Sequence, residues 1–163
     1  MPTLPSNLML NPPERAEIER HVAALQVLCE QTPLASADWE AATLVVVTKL
    51  MLALPSTQQN ELGAEASGEA FMAALEDIPT WAVAAAARRW YRGDCGWNEH
   101  SQPYDYRWRP APADLRRIAL TEKFRVYRRI TILRRLLAAQ PEVLSEQHCS
   151  RMRARLASVI TVG

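Results

Sequence analysis

Apolar residues return at intervals of three and four in nearly every segment of this chain, and that rhythm most narrows the folds open to it. Spacing of this kind gathers residues on one face of an α-helix, whereas a half-buried strand needs strict alternation. Ile18, Val22, Leu25 and Cys29 define a first helix running to about Gln31, with Pro13, Glu14 and Glu17 suited to its first turn and Pro33 closing it. A second helix opens at Ser36 or Ala37 and carries the stripe Trp39, Thr43, Val46, Val47, Leu50 and Leu54. Its valine run also fits a strand, because Val is β-prone, but a pattern sustained over several turns favours helix.

Pro55 to Gly68 reads as a polar loop with room for one helical turn, and Ser67 starts a short helix carrying Phe71, Met72 and Leu75. Pro79 leads into a fourth helix with Val83, Ala86, Ala87 and Trp90 inward, and Gly93 stops it. The longest pattern runs from Ala113 to Gln140 through Leu115, Ile118, Ala119, Val126, Ile130, Leu133 and Leu137, and Pro141 ends it. A last helix, from Glu142 or Ser145 to Ile160, shows Leu144, His148, Met152, Leu156 and Ile160. The expectation is an all-α fold without sheet: a compact helical domain of five to six helices with a long basic C-terminal helical hairpin. It divides into a flexible N-terminal arm over 1–12, a helical core over 13–110, and the hairpin over 111–163, through which copies can associate. Five glycines in 163 residues suit helix better than sheet.

Charge is distributed unevenly. Residues 1–87 hold three basic side chains (Arg15, Arg20, Lys49) against eleven acidic ones, and residues 88–163 hold sixteen basic against seven acidic. A net charge of +1 therefore conceals a dipolar chain, a pattern that points to interaction surfaces. The apolar run around Leu44–Leu54, broken by Lys49, is too short to span a bilayer, and the N-terminus lacks the basic-then-apolar pattern of a secretory signal. Cys29, Cys95 and Cys149 are too few, odd in number and too widely spaced for a disulfide framework, so the expected setting is the reducing cytoplasm, with no membrane partner.

Chemistry-bearing motifs are missing. No phosphate-cradling glycine loop, nucleophile elbow or zincin helix occurs, so the chain reads as a non-enzyme without catalytic residues or cofactor. Cys95, His100, His148 and Cys149 include the ligand types zinc takes, but not its usual tight spacing, and His148 and Cys149 fall on different helix faces. Buried thiols beside surface histidines are the simpler account, and no metal is expected.

The basic second half is more informative. Arg88 and Arg92 precede Arg107, Arg109, Arg116, Arg117, Lys123, Arg125, Arg128, Arg129, Arg134 and Arg135, which face only Asp114 and Glu122 between 107 and 135. Guanidinium forks match phosphate oxygens two at a time, so nucleic acid is one candidate partner; a protein partner, or a merely solvated helix face, accounts for the charge as well. Gly93 to Arg109 is a long irregular connection, and residues 90–108 hold Trp90, Tyr91, Trp97, Tyr104, Tyr106 and Trp108, six of the eleven aromatics. Loops of this length are usually functional or disordered, and so many rings argue for packing. Trp97 and Trp108 are expected on the helical body, and Trp97, Tyr104, Tyr106 and Trp108 form a candidate partner loop.

Three blocks occur in order: Phe71-Met-Ala-Ala-Leu-Glu-Asp-Ile-Pro-Thr-Trp81, Ala84-Ala-Ala-Ala-Arg-Arg-Trp90, and Trp108-Arg-Pro-Ala-Pro-Ala-Asp-Leu-Arg116. In this order the segment 71–116 resembles phage proteins that load or inhibit the replicative helicase. The last block has a physical logic: its aromatic anchors a loop, its prolines preset a helix, and its acid sits at that helix's N-terminus. The resemblance implies a small helical adaptor that binds a hexameric helicase, often through a C-terminal segment. Two departures stand out, the long Gly93 to Arg107 insertion and a C-terminal region patterned as firm helix. No binding residue carries over from the family. The expected function is a non-catalytic, phage-like DNA replication accessory protein acting on a replicative helicase. A DNA-binding or regulatory protein using the basic helix is the alternative, and a host-directed inhibitor acting through protein contacts is a third.

Overall fold

The computed structural model describes residues 2–5, 8–30, 36–55, 61–142, 147 and 149–153, and their fold is all-α. The helices are α1 (Pro12–Glu30), α2 (Ala37–Ala53), α3 (Glu61–Leu75), α4 (Thr80–Arg92) and α5 (Pro112–Leu137), and residues 149–153 are also helical. Two-residue strands β1 (Thr3–Leu4) and β2 (Gln140–Pro141) complete the element order. No helix among the described residues is long and apolar enough to cross a membrane.

Local chemistry explains most boundaries. α1 starts one residue earlier than expected because Asn11 caps it. The Asn11 side chain accepts from the Glu14 amide at 2.9 Å, and the Glu14 carboxylate accepts from the Asn11 amide at 2.9 Å. This reciprocal box occupies two donors that a helix end otherwise leaves unsatisfied, with Pro12 in the first helical position. Ser36 caps α2 by accepting from the Trp39 amide, and the valine run is helical. α3 begins at Glu61, within the segment expected to be loop, so that segment supplies its first turns. α4 ends on Gly93 at φ +70°, where the Gly93 amide donates to the Trp90 carbonyl and the Asp94 amide to the Arg89 carbonyl. A side chain resists that left-handed conformation, and glycine does not.

The chain divides into two units: residues 22–131, and residues 1–21 together with 132–163. Both divisions fall inside helices, α1 and α5, not at the boundary expected near 110. In the larger unit, α2 contributes Trp39, Val47 and Leu50 to the core, and α3 contributes Phe71 and Leu75. Ile78 follows from the junction, Ala82, Val83, Ala86, Ala87 and Trp90 from α4, and Leu115, Ile118 and Ala119 from α5. Small alanines let α4 lie close to its neighbours, and polar groups of α2 are paired there, whereas the buried Trp81 indole N–H of α4 has no partner among the described residues. The Trp39 indole donates to the Ile78 carbonyl at 2.8 Å, and the Thr43 and Thr80 hydroxyls bond at 2.7 Å. The first half of α5 is therefore packed into the core. Much of the expected second arm, including Leu144, His148, Leu156 and Ile160, lies outside the described residues.

Within the smaller unit, β1 and β2 pair in parallel, Thr3 opposite Gln140 and Leu4 opposite Pro141. The Gln140 amide donates to the Pro2 carbonyl at 3.1 Å, and the Glu142 amide to the Leu4 carbonyl at 2.7 Å. Within the segment expected as a flexible arm, 1–12, Thr3 and Leu4 lie in the strand pair and Asn11 forms the cap of α1. Arg15 donates to the Leu137 carbonyl at 2.8 Å, satisfying one of the open acceptors at the end of α5.

Candidate functional site

The loop after α4 is organised by its tyrosines. Trp90, only 3% exposed, meets Tyr104 and Tyr106 edge-on, each with ring centroids 5.1 Å away. Such edge-to-face contacts suit aromatic quadrupoles better than a face-to-face stack. The Tyr106 hydroxyl accepts from the Cys95 amide at 3.0 Å, and the Tyr104 ring lies under the Arg117 guanidinium, 5.5 Å from its centroid. Trp97 and Trp108, expected on the helical body, are instead 68% and 43% exposed. Tyr104 and Tyr106 have taken the space around Trp90, so the expected role of the two tryptophans as anchors is corrected.

Trp97 is exposed on an ordered turn. It bridges Pro103 across an antiparallel contact, and the Asn98 amide donates to the Gln102 carbonyl at 2.8 Å. The Asn98 side-chain oxygen accepts from the His100 and Gln102 amides, both at 2.9 Å.

The candidate arginines are not equivalent. Arg116, at one flank of α5, pairs with Asp77 and donates to the Ala74 carbonyl at 2.6 Å, fastening α5 to the end of α3. That guanidinium holds the Asp77 carboxyl below the usual carboxylate range, chiefly through its hydrogen bond and against some desolvation. Arg117 pairs with Asp114 at 2.7 Å, and exposed Arg107 with Asp105 at 2.8 Å. Arg109 donates to the Ser67 hydroxyl at 3.3 Å, and its amide to the Pro55 carbonyl at 3.2 Å. Four of the candidates thus serve, at least in part, to hold the fold.

Arg88, Arg128 and Arg129 are exposed, and their side chains make no ion pair with any described residue. Arg88 and Arg92 share a cleft of about 400 Å³ between α4 and α5 with Arg89, Asp94, Glu122 and Arg125. Glu122, largely withdrawn from solvent, accepts from Arg89 at 2.8 Å and from Arg125 at 2.7 Å. Its role went unread in the sequence because it is one acid within a run of bases.

A second surface was also missed. Between α2 and α3 runs a mainly apolar groove of about 500 Å³, lined by Leu44, Met51, Leu52, Gly68 and Met72, with Glu40 and Glu69 beside them. Leu52 is 83% exposed and Leu44 46%. The available signal was α2 itself, which is apolar around most of its circumference, a pattern that calls for burial on more than one side.

Among the described residues no group of three metal-ligating side chains comes together, and His148 lies outside them. Burial pushes the Cys95 thiol up to about 11, against the pull of Arg89 nearby, so it is a poor thiolate donor at neutral pH. Cys29 is likewise raised, first by burial and then by Glu30. No protein-family model, curated protein or solved structure matches the chain.

Proposed function

We propose that this chain is a non-catalytic adaptor that seats a helix of a protein partner in its α2–α3 groove, the partner being a replicative helicase on the resemblance of residues 71–116. The observation that carries the reading is the groove, where Leu44, Met51, Leu52 and Met72 form one apolar strip left open to solvent. Contiguous apolar surface on a soluble protein commonly marks an interaction site, and methionines adapt to the shape of what they meet. Glu40 and Glu69 at the polar edge fit an amphipathic helix with apolar anchors at three- and four-residue spacing and Lys or Arg beside them. Such an adaptor acts by favouring one conformation or assembly state of its partner, and it needs no reacting group of its own.

The test titrates a purified hexameric replicative helicase with the full chain across a salt series. Association persists near physiological ionic strength, because apolar burial supplies much of the energy. Leu52→Asp, at a position already exposed, weakens it at least about tenfold by placing a charge in the groove. No association at any salt, or full affinity in Leu52→Asp, overturns the reading. Tight, salt-sensitive binding of duplex DNA without helicase association would replace it with the DNA-binding alternative.

A further inference from the structure

Beside the arginine cleft lies a smaller recess of about 150 Å³, lined by Arg89, Cys95, Trp97, Tyr104, Arg117 and Arg125 among others. The two share Arg89 and Arg125, so cationic lining on one side continues directly to an aromatic lining on the other. We propose that this joined surface binds single-stranded nucleic acid, with Arg88, Arg92 and Arg125 on its phosphates and Trp97 stacking on a base.

Arg88, Arg89, Arg92 and Arg125 face only Asp94 and Glu122 in the cleft, which leaves positive charge in excess. Arg89 is fixed by Glu122 and Asp94. Glu122 also holds Arg125 at 2.7 Å, through one guanidinium nitrogen. Arg92 reaches Asp94 at 3.0 Å from an exposed position, and Arg88 has no ion pair among the described residues. A guanidinium carries five N–H donors, so one engaged nitrogen leaves others for phosphate oxygens.

Trp97 supplies the exposed ring. An indole 68% exposed forfeits burial energy, and here the turn from Trp97 to Pro103 holds it that way. With the backbone of the turn already bonded, less freedom is lost when the ring stacks on a ligand, as in preorganised sites. Every base has a face to stack, so one ring beside a basic track suits single strands of any sequence. A duplex keeps its bases stacked on each other, and Trp97 gains nothing from it. This surface shares no lining residue with the α2–α3 groove, so it stands or falls independently of the partner proposed there.

The experiment measures fluorescence anisotropy of a labelled ten-nucleotide oligothymidylate with the full chain, with circular dichroism to verify that each variant remains folded. The single strand binds at least about tenfold tighter than a duplex of equal length, the advantage expected from one stacked base. Trp97→Ala weakens single-strand binding by about tenfold and leaves its salt dependence unchanged. Arg88→Gln lowers the log–log salt slope by about 0.7, the value for one single-strand phosphate contact. Arg128→Gln removes the same charge from outside both recesses and leaves the slope as it was. Equal affinity for duplex and single strand, an unchanged Trp97→Ala variant, or no binding at low salt each overturns the proposal.

Discussion

The indole Nε1 of Trp90 donates a 2.9 Å hydrogen bond to the backbone carbonyl of Trp108, so the last turn of α4 holds the far end of the loop that follows it. The same ring packs against Tyr104 and Tyr106. One side chain therefore closes a long connection just before α5 begins. Trp90→Ala is expected to cost roughly 3–5 kcal/mol, as large-to-small changes at buried aromatics do. Trp90→Phe loses the donor and part of the buried ring, so it should cost more than the roughly 1 kcal/mol of a single hydrogen bond and less than Trp90→Ala. Trp108→Ala, at a ring 43% exposed, costs less than Trp90→Ala. Urea unfolding of the three variants checks the order, and a Trp108→Ala as damaging as Trp90→Ala would refute it.

Gly68 lies in α3, on the wall of the apolar groove, and a Cβ there would meet nothing within 4 Å. A glycine inside a helix is less favourable than alanine by about 0.5–1 kcal/mol, with no close contact here to explain its presence. Gly68→Ala should raise stability by about that amount in thermal or urea unfolding. Gly68→Leu should keep the fold and fill the groove, weakening helicase association. Unimpaired association in a folded Gly68→Leu chain would remove the groove as the docking surface.

Asp77 and Arg116 set a pH dependence whose direction follows from geometry. The Asp77 carboxyl titrates lower in the folded chain than the roughly 3.9 of an unfolded aspartate. Its contribution is thus fully present above that unfolded value and is lost as pH falls through the lower, folded value. Asp77 is half-exposed at 52%, which confines the pair to about 0.2–1 kcal/mol. Asp77→Asn should be slightly less stable than the parent at pH 7, and the gap should close in acid. A gap that persists below both titration ranges would assign the loss to packing instead.

Much of the core was legible because helix periodicity reports directly on burial. Trp39, Thr43, Val47 and Leu50 in α2, and Leu115, Ile118 and Ala119 in α5, follow from spacing alone and are all buried. The aromatic loop defeated the same reasoning, because a segment without period gives no rule for which rings turn inward. Trp97 and Trp108 were the natural guess by size, yet the tyrosines reach Trp90 and also satisfy their hydroxyls on Cys95 and Arg117. Arginine partners were hidden for a different reason. Arg116 and Asp77 stand 39 positions apart, and Arg89 and Glu122 stand 33 apart, so only the fold brings them together. The β1–β2 pair joins residues at opposite ends of the described chain, a separation at which two-residue strands leave no readable pattern.

Cys95 should be a slow nucleophile in the folded chain. Desolvation holds its thiol near 11, so at pH 7.5 far less of it is thiolate than of a free cysteine near 8.5. In a Cys29→Ser/Cys149→Ser chain, iodoacetamide should modify Cys95 at least about tenfold more slowly than it modifies a small free thiol, since the thiolate is the nucleophile. The rate should continue to rise with pH beyond 9, where a free thiol levels off. A rate at neutral pH equal to that of the free thiol would mean that the Tyr106 and Arg89 surroundings do not bury it.

The two surfaces should be separable by substitution. The groove is built from α2 and α3, the arginine cleft from α4 and α5 with the loop between them, and their linings have no residue in common. Substitutions with no shared partners act additively, within a few tenths of a kcal/mol when the sites are distant. Leu52→Asp should therefore weaken helicase association and leave oligonucleotide affinity unchanged, while Arg88→Gln/Arg92→Gln should do the reverse. The doubly altered protein should lose each activity to the same extent as the corresponding single variant. If Leu52→Asp also lowered oligonucleotide affinity in a chain with unaltered unfolding, the two faces would be coupled through α2 and α4. One physical route exists for that coupling. Thr43 of α2 and Thr80 of α4 bond at 2.7 Å, Thr43 is fully buried, and Thr43 lies next to Leu44 of the groove. Thr43→Val, which removes the hydroxyl and keeps the shape, should then reduce the cross-effect. With independent faces it should alter stability alone, by about 1 kcal/mol.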